Sequence, residues 1–122
     1  MKTTKLDYEK FKKYCGYWLR ELGLDHWHVY YQHKKVEGAY AQTSYQVSSG
    51  VATITFATSW DEFRDVNDKE LRANALHEVM HLVTAPLLVE AVARYSTQLD
   101  IDTAEHAIVV RLANYIARLH DA

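Results

Sequence analysis

Apolar side chains recur at helical spacing near the start of the chain. In residues 7–22 they fall three or four positions apart, as on one face of an α-helix: Phe11, Tyr14, Cys15, Trp18, Leu19 and Leu22. The next residue, Gly23, readily takes the left-handed backbone conformation that ends many helices. We therefore predict an N-terminal helix that ends at Gly23.

The middle of the chain alternates between apolar and polar positions, as strands do. Residues 27–32 place Trp27, Val29 and Tyr31 on one side, and residues 40–47 are similarly strand-like. Ser-Ser-Gly at residues 48–50 is typical of a turn, and residues 51–57 form the next apolar run. We predict about three strands in a mainly antiparallel sheet.

The second half of the chain has helical patterns. Asp68 can cap a helix that runs through His77 and His81 toward Thr84. The only proline, Pro86, is expected to end that helix, because proline has no backbone N–H and suits the first turn of a new helix. Two further helices are expected at about residues 87–98 and 102–119. The predicted fold class is therefore α+β, with one helix, then the sheet, then three helices.

Composition narrows the class of protein. The 122 residues are expected to form a single domain, residues 1–122, and a formal net charge of −2 gives no reason to expect a nucleic-acid partner. A single cysteine, Cys15, excludes an internal disulfide and a thiolate zinc cage, and we expect it to be a buried structural thiol. No apolar run approaches the roughly 18–20 residues that span a bilayer. No signal peptide is recognised either, so a cytoplasmic protein without membrane contact is expected.

One short segment carries recognisable chemistry: residues 77–81 read His-Glu-Val-Met-His, an H-E-x-x-H motif. On a helix, His77 and His81 project from one face, where their neutral imidazoles suit Zn²⁺. Glu78 lies about 100° around the helix from His77, so it need not be a ligand. It can instead act as the general base that takes a proton from a metal-activated water.

A catalytic zinc usually has three protein ligands, so a third is expected outside the motif. Glu105 is the first candidate, because helical spacing puts it near the middle of an apolar face where an unpaired carboxylate is costly. That face comprises Ile108, Val109, Leu112, Ala113, Ile116 and Leu119. A competing interpretation makes Glu105 the end of a capping box that begins at Asp102.

Other residues can substitute in the site. His106 is the first alternative to Glu105 as a ligand, or a donor to the transition state, and Glu90 is the second alternative ligand. Tyr115, Tyr95 and His106 are candidates for stabilising an oxyanion, a choice that depends on geometry.

The motif with a downstream glutamate resembles the gluzincin pattern of zinc peptidases. The layout is similar to small zincins of the SprT-like and ImmA/IrrE-like kinds, and to short metallopeptidase-like proteins encoded by phages and prophages. This resemblance implies a minimal zincin-like domain, with His77, His81 and Glu105 as ligands and Glu78 as base. It also implies that the strand before the motif helix binds an extended peptide, here through Ala52, Thr53, Ile54 and Thr55.

The sequence thus favours a zinc metallopeptidase, a hydrolase acting on a peptide or protein in the cytoplasm, or in the host cytoplasm if it is phage-encoded. The alternative is a zinc-stabilised binding or assembly module without turnover, also compatible with a phage-encoded protein. Its motivation is the small size of the chain, which leaves little room for a deep specificity cleft.

Overall fold

Helices flank a small sheet along the chain. The computed structural model describes residues 1–61 and 64–121, and these form three helices and three strands. In chain order the elements are α1 (Lys5–Glu21), β1 (His28–Lys34), β2 (Ala41–Gln46), β3 (Val51–Ala57), α2 (Asp68–Val92) and α3 (Gln98–Asp121). The predicted α+β class is confirmed at this level.

The first helix has well-formed ends. Thr4 caps its start, since its hydroxyl accepts from the Asp7 amide while the Asp7 carboxylate accepts from the Thr4 amide. At the other end Gly23 has a φ of 67°, and the Leu24 amide donates to the Leu19 carbonyl over 2.8 Å. This is the hydrogen-bond pattern of a glycine-terminated helix, so the predicted end at Gly23 is confirmed.

The sheet is mixed, and the antiparallel prediction is wrong for one pair. Its strand order is β1-β3-β2, with β3 antiparallel to β2 and parallel to β1. Alternation along a sequence shows which side chains share a face, but not which strands are neighbours. The β2–β3 hairpin places β3 between the other two strands, and β3 runs in the same direction as β1.

The hydrophobic core lies between the sheet and the first two helices. Phe11 of α1 stacks on Phe56 of β3 with ring centroids 4.7 Å apart, and both side chains are fully buried. Ala75, Val79 and Leu82 present the buried face of α2 to the same cluster. This packing fixes which face of α2 meets solvent, and it therefore orients the motif.

Cys15 lies inside this core as a free thiol, as predicted. Burial raises the pKa of the thiol, and the negative charge of Glu78 raises the pKa further. A thiol held in its neutral form is a poor nucleophile, so Cys15 has a packing role.

The predicted end of the motif helix at Pro86 is wrong, because α2 continues through this proline to Val92. The side chains of Leu82, Val83 and Ala85 just before it are fully buried. Tertiary packing of this turn therefore outweighs the hydrogen bond that proline cannot donate. In place of the separate helix predicted at residues 87–98, residues 87–92 are the end of α2 and residues 93–97 connect it to α3.

The third helix starts earlier than predicted. The Thr97 hydroxyl accepts from the Asp100 amide, and the Asp100 carboxylate accepts from the Thr97 amide, so the cap lies at Thr97.

By length and composition alone, α2 meets the requirements of a membrane-spanning helix, and 33% of its apolar 18-residue stretch is buried. Core helices meet the same requirements, so this is weak evidence for a span.

Replacing Pro86 by alanine tests the continuous helix. Pro86→Ala should raise the free energy of unfolding by up to about 3 kcal/mol, because alanine restores a backbone donor in the helix interior. Urea denaturation followed by circular dichroism measures the change. Pro86→Gly is the matched control and should gain about 1 kcal/mol less than alanine. Loss of stability in Pro86→Ala would contradict the continuous helix.

Candidate metal centre

The three functional residues of the motif lie on one turn of α2 but in different environments. His77 and His81 are exposed, with their ring centroids 5.1 Å apart, whereas Glu78 is 4% exposed. The difference follows from the helix geometry, because the face that carries Ala75, Val79 and Leu82 is held against the core. Glu78 borders that face, and the imidazoles lie on the solvent side.

The buried carboxylate of Glu78 has a partner on the sheet. Thr43 of β2 donates its hydroxyl proton to Oε1 of Glu78 over 2.8 Å, and the same hydroxyl lies 3.2 Å from the Glu78 carbonyl oxygen. These two residues are 35 positions apart in the chain. The contact joins the motif helix to the sheet and fixes the direction of the carboxylate.

These three side chains form a group that can hold a metal ion. One ligand atom from each of His77, Glu78 and His81 can be chosen so that all lie within 4.8 Å of one another. Two imidazole nitrogens and a carboxylate oxygen are ligand types that zinc accepts, so the donor set fits this metal. The structure therefore brings together the motif residues that the sequence predicts.

Glu105 does not belong to this group. Its side chain is exposed on α3, and Ala104 is the buried residue beside it. The expectation that its carboxylate points into an apolar core is wrong, because three residues assigned to that face are about half exposed or more: Val109 at 49%, Ile116 at 53% and Leu119 at 60%. The capping-box interpretation is also wrong, since the cap is Thr97. A ligand role for Glu105 stays a prediction.

The structure also leaves the alternative residues outside the group. His106 is exposed, and Tyr95 is exposed in the segment between α2 and α3. Glu90 accepts a hydrogen bond from Ser96 over 2.6 Å, and Tyr115 packs edge-on against Trp18. Among the described residues, no hydrogen bond, ion pair or ring contact joins any of these four to the motif.

The strand predicted to bind substrate is not an edge of the sheet. Residues 52–55 belong to β3, which pairs with β1 on one side and β2 on the other, so its backbone groups are already used. Within residues 1–61 and 64–121, β2 pairs only with β3 and is an edge of the sheet. Since β2 also carries Thr43, the edge strand beside the motif is β2.

The turn at residues 48–50 signals the hairpin, but nothing in the sequence pairs Thr43 with Glu78.

A cleft opens next to the motif. Its volume is about 830 Å³, and His77 and Glu78 form part of its wall. The same cleft is lined by Ala41, the first residue of β2, by Tyr40 just before it and by Asn74 of α2. A volume of this order accommodates a small ligand or a few residues of a peptide.

Comparisons of the chain with protein-family models, with curated proteins and with solved structures found no match. The resemblance to zincins therefore rests on the five-residue motif, and the geometry of the motif supports a metal site without assigning a family.

Removing the Thr43 hydroxyl tests the contact that orients Glu78. Thr43→Val keeps the shape of the side chain but leaves a buried acceptor without its donor, which should lower the free energy of unfolding by about 1–3 kcal/mol. Thr43→Ser retains the hydroxyl and should lose less. Urea denaturation of both variants makes the comparison. Equal stability of Thr43→Val and the unchanged protein would contradict the hydrogen bond.

Proposed function

We propose that this chain is a zinc-dependent peptidase of the HExxH type. The observation that carries the proposal is the placement of Glu78: its carboxylate is buried, accepts from Thr43 and lies near the exposed imidazoles of His77 and His81. Glu78 and His77 also line the cleft. A general base needs a fixed direction and a place where a reacting molecule can approach it. The motif and the cleft together supply both.

His77 and His81 hold the zinc ion in this proposal. When bound, zinc polarises the carbonyl that is attacked and lowers the pKa of water. Glu78 takes the proton from the attacking water and returns a proton to the leaving amine. The hydrogen bond from Thr43 keeps the carboxylate on the cleft side of α2 while it does so.

The proposed substrate is a peptide or protein that lies along β2. An extended peptide can add to a free sheet edge through main-chain hydrogen bonds. The first residue of β2, Ala41, lines the cleft together with His77, so a strand added there passes the metal site. This edge replaces β3 as the proposed substrate strand.

A zinc-stabilised module without turnover is the competing class of protein. The two proposed ligands of the motif, His77 and His81, lie within five residues of one helix, so a metal bound by them alone links no second element of the fold. Metal clips stabilise most when they close long stretches of chain. The arrangement therefore favours a chemical role over a stabilising one.

Two substitutions in the motif separate metal binding from chemistry. Glu78→Gln should keep zinc and lose cleavage, because the amide cannot accept the proton, whereas His77→Ala should lose both. Zinc binding by calorimetry and chelator-sensitive cleavage of a peptide library measure the two properties. His28→Ala, an exposed histidine of β1, is the matched control and should change neither.

Several results would contradict this proposal. If Glu78→Gln still cleaves the peptides, Glu78 is not the general base. If Glu78→Gln no longer binds zinc, Glu78 is a ligand of the metal. Glu105→Gln tests the remaining predicted ligand in the same titration, with zinc binding at least about tenfold weaker if this carboxylate coordinates the metal.

Peptide binding at the sheet edge has its own signature. When a cleaved peptide is added to Glu78→Gln, amide hydrogen exchange should slow in β2, because its free backbone groups gain partners. The amides of β1, the other edge of the sheet, are the internal control and should exchange as before. Protection of β1 without protection of β2 would place the substrate on the wrong edge for this mechanism.

A further inference from the structure

An apolar pocket between α1 and α2 has no role in the proposed chemistry. Its volume is about 390 Å³, within the usual range for small-ligand sites. Three aromatic residues of α1 face three residues of α2 across it: Tyr14, Tyr17, Trp18, Arg72, Ala73 and Leu76. Open aromatic surface of this kind favours a bulky apolar group.

The aromatic wall is held in place by neighbouring rings. Tyr17 and Trp18 pack edge-on with their centroids 5.0 Å apart, and Tyr115 of α3 contacts Trp18 edge-on at 5.9 Å. The third helix therefore supports Trp18. Tyr17 is half exposed despite its size, so the pocket is open on this side.

A cation lies at the rim of the pocket. The guanidinium of Arg72 is exposed and sits 5.3 Å from the centre of the Tyr14 ring. Across the described part of the chain, Arg72 forms no ion pair with a carboxylate, whereas Arg64 pairs with Glu70 at 3.1 Å. An arginine on an aromatic ring retains N–H donors that suit a carboxylate.

The pocket adjoins the cleft of the candidate metal centre. Ala73 lines both cavities, and Leu76 directly precedes His77 on α2. A peptide that occupies the cleft therefore needs to cross only the small side chain of Ala73 to reach the aromatic wall.

We propose that this pocket binds a bulky apolar side chain, preferentially aromatic, of a peptide with a carboxylate next to it. The aromatic wall receives the side chain, and Arg72 pairs with the carboxylate. The bound peptide is a substrate only if the proposed peptidase function holds, whereas binding itself does not depend on turnover.

Three small probes test the binding on zinc-free protein. They are N-acetyl-phenylalanine, its amide, and N-acetyl-aspartyl-phenylalanine amide, followed through the indole N–H signals in ¹⁵N NMR. Trp18 should shift and saturate, whereas Trp27, which is buried elsewhere, is the internal control. The plain amide should bind about fivefold more weakly than a carboxylate probe. Tight binding of the first or the third probe identifies a C-terminal or a side-chain carboxylate, respectively.

Two variants test the residues named. Arg72→Gln should abolish the preference for a carboxylate without changing the affinity for the plain amide. Arg94→Gln is the matched control, since Arg94 also lies over a tyrosine ring, 5.4 Å from the centre of Tyr95, but outside the pocket. Tyr17→Ala should weaken all three probes, and Tyr30→Ala, another exposed tyrosine, should weaken none.

The inference is overturned if Trp18 does not shift, or if all three probes bind equally to the unchanged protein. A failure of the peptidase proposal has a different appearance: the probes still bind at Trp18, but peptides that carry the preferred residue are not cleaved. A third outcome is that Tyr17→Ala and Arg72→Gln both cleave peptides with the same residue preference as the unchanged protein. That result contradicts the role of the pocket in binding the substrate and leaves the peptidase proposal intact.

Discussion

The hydrogen bond between Thr43 and Glu78 is the interaction on which the site depends. A carboxylate with 4% exposure needs a donor, and the donor comes from the edge strand of the sheet. The opposite face of α2 packs against the core, and this packing leaves His77 and His81 on the solvent side of the helix. The Thr43–Glu78 contact therefore links the fold to the direction of the proposed base, beside two proposed ligands that the packing of α2 leaves accessible.

The mixed sheet explains why that contact is possible. With β3 in the centre, its residues are the most buried of the sheet and serve packing, while β2 remains at an edge beside α2. An edge strand has side chains that reach the motif and backbone groups that are free to pair. The cleft begins at this edge, and Ala73 connects it to the aromatic pocket between α1 and α2. Recognition and chemistry are thus proposed for adjoining surfaces of one helix.

Local signals in the sequence predicted the local features. The spacing of Phe11, Cys15 and Trp18 with Gly23 located the first helix, and five residues located the metal group. Features that depend on distant contacts were missed. Alternation does not show which strands are the neighbours of β3. The sequence also does not show that the turn before Pro86 is buried, and the packing of this turn keeps the helix continuous through the proline. The apolar periodicity of α3 placed Glu105 on a face that was expected to be buried. Ile116 and Leu119 belong to the same pattern but are exposed, and Glu105 is exposed as well. Thr43 was missed because no local rule joins it to a glutamate 35 positions away.

Anomalous diffraction at the zinc edge, from crystals grown with zinc, tests the central claim most directly. We predict one strong peak within bonding distance of a ring nitrogen of both His77 and His81, with the Glu78 carboxylate still accepting from Thr43 and not coordinating the metal. A zinc peak away from His77 and His81 would contradict this claim. So would a Glu78 carboxylate that coordinates the zinc and no longer accepts from Thr43.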